Sequence, residues 1–227
     1  MFAVRKSMLA AAVIFTAAVL LASFGVSAVS AANAGEGVPF SVVLDAGHGG
    51  VDPGVLGVNT KTKESDINLQ IVRLLEKYFA DAGFSVVLTR KNEGGLYGLP
   101  TTGYKRRDME KRRDVIEQTA PNLVISVHQN NFIADRTRRG GQVFFKEGDE
   151  KGKALADCIQ SRLNALNGCD YSALKGDYYI LNCTQYASVI VECGFLSNAE
   201  DEKLLLDEEY RQKAAYAIFS GALLYLS

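Results

Sequence analysis

The sequence predicts an α/β protein: a three-layer single domain with a central, mostly parallel twisted sheet of about six strands and helices on both faces. Three observations lead there. From Phe40 onward, short β-branched runs alternate with longer amphipathic stretches, the pattern of a sheet built by crossover connections. The short runs are continuously apolar, as expected of strands covered on both faces. No internal repeat, low-complexity tract or Pro/Gly linker divides the chain, so residues 36–227 read as one unit.

The first 34 residues stand apart from that unit. Arg5 and Lys6 precede a stretch without charge that runs to Gly35. Its centre, MLAAAVIFTAAVLLASF, is apolar, and Ala32, Asn33 and Ala34 end it in an A-x-A-like triplet. Basic start, apolar middle and small-residue end read as a signal peptide or an N-terminal membrane anchor over residues 1–34. The expectation is an exported protein that meets the membrane only through this segment, with cleavage and retention both open.

The strands follow in order: SVVLD (41–45), FSVVLT (84–89), LVISV (123–127), QVFFK (142–146) and SVIVE (188–192), with DYYIL (177–181) as a sixth. Between and after them, residues 66–82, 106–119, 151–166 and 208–226 carry apolar side chains at three- and four-residue spacing. In the first helix Ile67, Ile71, Leu74, Leu75 and Tyr78 form one stripe, and Gly83 supplies the stop.

Composition narrows function. A chain of 227 residues, 48% hydrophobic and 22% charged, is neither disordered nor collagen-like. Lysine plus arginine (25) balance aspartate plus glutamate (26), so no charge field points to nucleic acid. Cys158, Cys169, Cys183 and Cys193 include no C-x-x-C pair, which argues against a zinc knuckle. Free thiols are the preferred reading over a disulfide, although an exported protein permits one.

Ligands in open α/β sheets sit beyond the carboxyl ends of strands. Three polar constellations end strands here: VVLDAGHGG with His48, LVISVHQNN with His128, and SVIVECGFLSN with Glu192. The chain's two histidines therefore fall at one sheet edge. Metal binding is the natural use for such a pair, and a catalytic zinc site commonly takes two histidines and a carboxylate. Glu64, at the start of the first helix and sixteen residues after His48, can supply that carboxylate. From the residues alone, a hydrogen-bonded structural histidine competes evenly with a metal ligand, and Glu64 reads first as a surface residue of a helix turn. The glycines of AGHGGVDPG fit a tight turn, and their spacing matches neither a Walker loop nor a dinucleotide fingerprint.

Taken together, LDAGHGGVDPG, Glu64, ISVHQN and VECGFLSN resemble the motifs of zinc-dependent N-acetylmuramoyl-L-alanine amidases of the amidase-3 type, in order and over residues 41–226. The resemblance implies that His48, Glu64 and His128 bind one Zn2+ and that Glu192 is the catalytic acid/base. It implies peptidoglycan as partner, and hydrolysis of the amide joining the lactyl group of muramic acid to L-alanine. Zinc would lower the pKa of a coordinated water towards ~7 and polarise the scissile carbonyl. Asp45 and Asn130, beside the histidines in sequence, are candidates for orienting them.

HQNNF, GGQVFF and DYYIL resemble segments of germination-specific amidases, which implies a role in spore-cortex maturation, where removal of the peptide precedes muramic lactam formation. Localisation would then be the cell wall or the extracytoplasmic face of the membrane, including the forespore intermembrane space. With no wall-binding module in the exported unit, an exported activator or targeting protein is expected as a second partner. The alternatives are a vegetative cell-wall amidase, a zinc peptidase on stem peptides and a non-catalytic wall-binding protein. The basic run KRRDMEKRRD (105–114) reads as a solvated helix face laced by ion pairs, in preference to an anionic-glycan groove.

Overall fold

The computed structural model describes residues 40–227; the segment read as signal or anchor lies outside the described residues. Twelve elements follow one another: β1 (Ser41–Ala46), α1 (Glu64–Asp81), β2 (Ser85–Leu88), α2 (Tyr104–Thr119), β3 (Leu123–Asn130), β4 (Gln142–Phe145), α3 (Glu150–Asn167), β5 (Leu174–Lys175), α4 (Tyr179–Asn182), β6 (Ala187–Phe195), α5 (Ala199–Leu206) and α6 (Glu208–Leu226). The six strands form one sheet in the order β2-β1-β3-β6-β4-β5. Every pairing is parallel except β4 with β6, so the α/β class with a mostly parallel sheet is what folds.

Register sorts the side chains. Val43 pairs with Val124 and Asp45 with Ser126; Ser126 in turn pairs with Ile190 and His128 with Glu192. Because paired residues of parallel strands point to one face, Asp45, Ser126, His128 and Glu192 share a face. At its base Val43, Val124 and Ile190 pack with Ile116 of α2 and with Ile180 and Leu181 of α4. The same face is therefore apolar at one end of the strands and polar at their carboxyl ends. The opposite face carries Val42, Leu44, Ile125, Val127 and Val191, all fully buried; α1, α3 and α6 form the second helical layer.

The helices start and stop where local chemistry dictates. Gly83, at φ 86, ends α1 in the left-handed region. The Asp149 side chain accepts from the Gly152 amide and caps α3. Asn198 caps α5 through the Glu200 and Asp201 amides, and Asp207 closes α5 while capping α6. The eight-residue α5 is an addition to the helices expected from sequence.

Two readings need correction. DYYIL is not a strand: β5 is Leu174–Lys175, and Tyr179–Asn182 is a helical turn. Ile180 and Leu181 are consecutive yet both enter the same apolar cluster, which a strand's alternation forbids and a helical turn permits. The basic run is also not a uniformly solvated face. Arg106 pairs with Glu110 and Lys111 with Asp114 in solvent, but Arg112 is 1% exposed and bridges Asp108 (2.7 Å) and Asp45 (2.5 Å).

Candidate metal centre and hydrolytic cleft

The chain leaves β1 through Gly47 into a loop that presents His48. The Gly47 amide donates to the Val127 carbonyl (3.1 Å), and Gly49 and Asp52 exchange backbone hydrogen bonds of 2.9 and 3.2 Å. His48 takes φ 61, a left-handed conformation that non-glycine residues rarely adopt. At Gly47 a Cβ would overlap the imidazole of His128, so the glycine here answers to close approach of a ring.

Glu64 is the first residue of α1 and is 2% exposed, so its reading as a surface residue of that turn is overturned. A buried carboxylate requires donors, and they are present. The Val55 amide donates to Oε2 at 2.9 Å, while the Gln129 amide (3.1 Å) and Asn68 Nδ2 (3.3 Å) donate to Oε1. Gly54, at φ 68, lets the loop pass so close that a side chain there would strike Glu64 and His48.

Both histidines converge on that carboxylate. His48 Nε2 lies 3.3 Å and His128 Nδ1 2.9 Å from Glu64 Oε1, with ring centroids 5.0 Å apart. One donor atom from each of the three residues falls within 4.8 Å of the others. Burial alone would raise the Glu64 carboxyl, but the two imidazoles outweigh it and hold it well below the usual range. The other nitrogen of His48, Nδ1, faces Asp52 Oδ2 at 3.1 Å, the kind of contact that fixes the orientation of a ligating imidazole.

Sequence reasoning missed Asp52, although a carboxylate four residues after the histidine in the same loop is a usable signal. It proposed Asp45 and Asn130 for this duty, and neither performs it. Asp45 accepts from Ser126 (2.6 Å), Thr89 (2.6 Å) and Arg112, while Asn130 Oδ1 accepts from the Asn131 amide. Burial would raise the Asp45 carboxyl, yet the Arg112 charge and the two hydroxyls hold it at about 2.

Glu192 sits on β6 directly across from His128. Its Oε2 is buried and has no hydrogen-bond partner, and burial pushes the carboxyl up to about 7 against the pull of His128. A cavity of about 270 Å³ opens beside it. His48, Asp52, His128 and Glu192 line it together with Tyr97, Tyr104 and Lys105 at the approach to α2, and Tyr178 and Tyr179 at α4. All four sequence-derived site residues thus meet: three as a donor cluster, the fourth as an unpartnered carboxylate lining the same cavity as the two histidines.

The donor set fits zinc. Two imidazole nitrogens and one carboxylate oxygen are the ligands of many hydrolytic zinc sites, and three protein ligands leave a position for substrate or water. The four cysteines stand apart from it as free thiols, Cys193 buried and the other three partly exposed.

Comparison with known proteins bears on this geometry. The family model described as N-acetylmuramoyl-L-alanine amidase (Amidase_3) matches residues 42–223. The germination-specific N-acetylmuramoyl-L-alanine amidase of Bacillus subtilis is 32% identical over 192 residues, covering 82% of this chain and 79% of that protein. Among solved structures, the CwlD amidase of Clostridioides difficile in complex with the GerS lipoprotein aligns with a TM-score of 0.79 at 36% identity, over 82% of this chain and 98% of that one. The catalytic domain of CwlV from Bacillus (Paenibacillus) polymyxa aligns with a TM-score of 0.72 at 28% identity, over 82% and 98%.

Proposed function

The chain belongs to the Amidase_3 family of N-acetylmuramoyl-L-alanine amidases, enzymes acting on peptidoglycan, and from that premise we propose that it is a zinc enzyme of spore-cortex maturation. His48, Glu64 and His128 would hold the metal, and Glu192 would act as general acid/base. The observation that carries the reading is the convergence of three donor atoms within 4.8 Å beside a cavity lined by a buried, unpartnered carboxylate oxygen.

When bound, zinc supplies Lewis-acid polarisation of the scissile carbonyl and acidifies the attacking water. The chain's own residues do the rest. Glu192 takes the proton of the water on its free Oε2 and returns one to the departing amine of L-alanine. Asp52 fixes the His48 ring through Nδ1, so Nε2 stays aimed at the centre. Tyr97, Tyr104, Tyr178 and Tyr179 give the cleft an aromatic wall that limits bulk water around the reacting amide.

The cortex role, with peptide removal before muramic lactam formation, is supported by the germination-specific relative and by the CwlD likeness. Export to the cell wall or the extracytoplasmic face of the membrane is supported by the basic-apolar-small pattern of residues 1–34, and the cortex role would make the forespore intermembrane space its site of action. That the CwlD structure is a complex with a lipoprotein supports an exported protein partner for this chain as well.

Mass spectrometry of digested peptidoglycan tests the reaction. Free peptides beginning with L-alanine and peptide-free muramic acid are expected, whereas cuts within the stem peptide would assign a peptidase. Spores lacking the protein should contain no muramic lactam, and normal lactam content would remove the cortex role.

A further inference from the structure

On the reading of His48, Glu64 and His128 as a zinc site, we propose that two buried arginines, Arg112 and Arg90, are positioning residues that preset the ligand-bearing segments before metal arrives. They capture three successive carbonyl groups of the loop leading to His48. Arg112 Nη1 donates to Ala46 O (2.8 Å) and Nη2 to His48 O (2.7 Å). Arg90 Nε donates to Ala46 O (2.8 Å) and Nη2 to Gly47 O (3.0 Å).

Arg90 also reaches the second ligand segment. Its Nη2 donates to Ser65 O at 2.7 Å, so one guanidinium joins the His48 loop to the residue that follows Glu64. Asn68 completes the link, donating to Gly47 O (3.2 Å) and to Glu64 Oε1 (3.3 Å). Arg112 and Arg90 are both buried, so their bonds to these carbonyls are made away from bulk water.

Arginine suits this task and lysine does not. The carbonyls of a left-handed turn diverge, and only a planar fork of five donors reaches several at fixed angles. The charge of Arg112 is matched by Asp45 and Asp108, whereas that of Arg90 is taken up by the carbonyls of Ala46, Gly47, Ser65 and Asn92. Neither arginine belongs to the donor cluster, so each acts through the backbone of the ligands.

The test is zinc affinity, measured by chelator competition on the purified full chain beside the thermal midpoint of the metal-free protein. Arg112→Lys and Arg90→Lys should each raise the zinc dissociation constant roughly 10- to 100-fold, the usual effect of losing a group that orients a ligand. Arg211→Lys, which alters a guanidinium–carbonyl bond to Leu205 that joins α5 to α6 and touches neither the His48 loop nor Glu64, should leave it within about twofold. A lowered midpoint with unchanged zinc affinity in both lysine variants would make the arginines merely structural and overturn the proposal. Hydrogen exchange on the wild type needs no variant: the Gly47, Gly49 and Gly50 amides should be protected in the metal-free protein, and free exchange there would overturn it too. Failure of the wild type itself to bind zinc would instead strike the reading of the metal site.

Discussion

His128 and Glu192 are direct partners across the β3–β6 pairing, and the sheet therefore holds a ligand candidate and an acid/base candidate side by side on rigid backbone. Sites built on strands hold their geometry more tightly than sites on loops. His48, by contrast, stands on a loop and depends on Asp52 and the buried arginines for its aim.

Glu192→Gln separates the two roles. It should retain one zinc per chain by elemental analysis while hydrolysis of purified peptidoglycan falls ~10²- to 10⁴-fold. Near-normal turnover in this variant would exclude Glu192 from proton transfer.

Removing the metal should be reversible. Dialysis against a chelator should abolish hydrolysis and added zinc restore it. His48→Ala and His128→Ala should lose both stoichiometric zinc and activity, because the chain has only two histidines and no third imidazole can replace either. Full activity after exhaustive chelation would contradict a metal mechanism.

Gly47→Ala puts a methyl group where the His128 ring lies. We expect a loss of about 1–3 kcal/mol in folding stability from the forced displacement, with weaker zinc binding as the ring moves. Urea unfolding reads the first effect and chelator competition the second; an unchanged midpoint and affinity would show that the loop yields freely.

Asp45 makes an acid-stability prediction. Its folded carboxyl is held at about 2, below the ordinary 3.8, so its stabilisation is present above pH ~4 and is lost as pH falls towards 2. Asp45→Asn should flatten that limb of the stability curve. At pH 7 it should cost roughly 3–5 kcal/mol, because Arg112 keeps its burial and loses its closest carboxylate. Equal unfolding midpoints for variant and wild type at pH 7 would refute the role of this pair.

Strands and chemistry were the legible parts. Continuous apolar runs placed β1, β3 and β6, and polar residues at their ends marked His48, His128 and Glu192, because strand ends are fixed by local pattern. Asp52 and Arg112 were harder for opposite reasons. Asp52 is near in sequence, but its contact depends on a left-handed turn at His48 that no propensity favours. Arg112 lies among six basic residues of 105–114, and which of them turns inward depends on how α2 docks on the sheet, a tertiary fact absent from the run itself. The helical turn at Tyr179–Asn182 was hidden by aromatic and β-branched composition that reads as strand.

That short turn has a consequence for how the enzyme can change. Tyr178 and Tyr179, 39% and 44% exposed, border the cleft at the start of a four-residue helix, whereas the metal-binding and proton-transferring candidates stand on α1, β3 and β6 and on the loop between β1 and α1. One wall of the cleft and the reaction it serves are thus written in separate parts of the chain. Substitution of the exposed Tyr178 or Tyr179 side chain would reshape that wall without touching the donor cluster, whereas Ile180 and Leu181 beside them are committed to the apolar core under the strands.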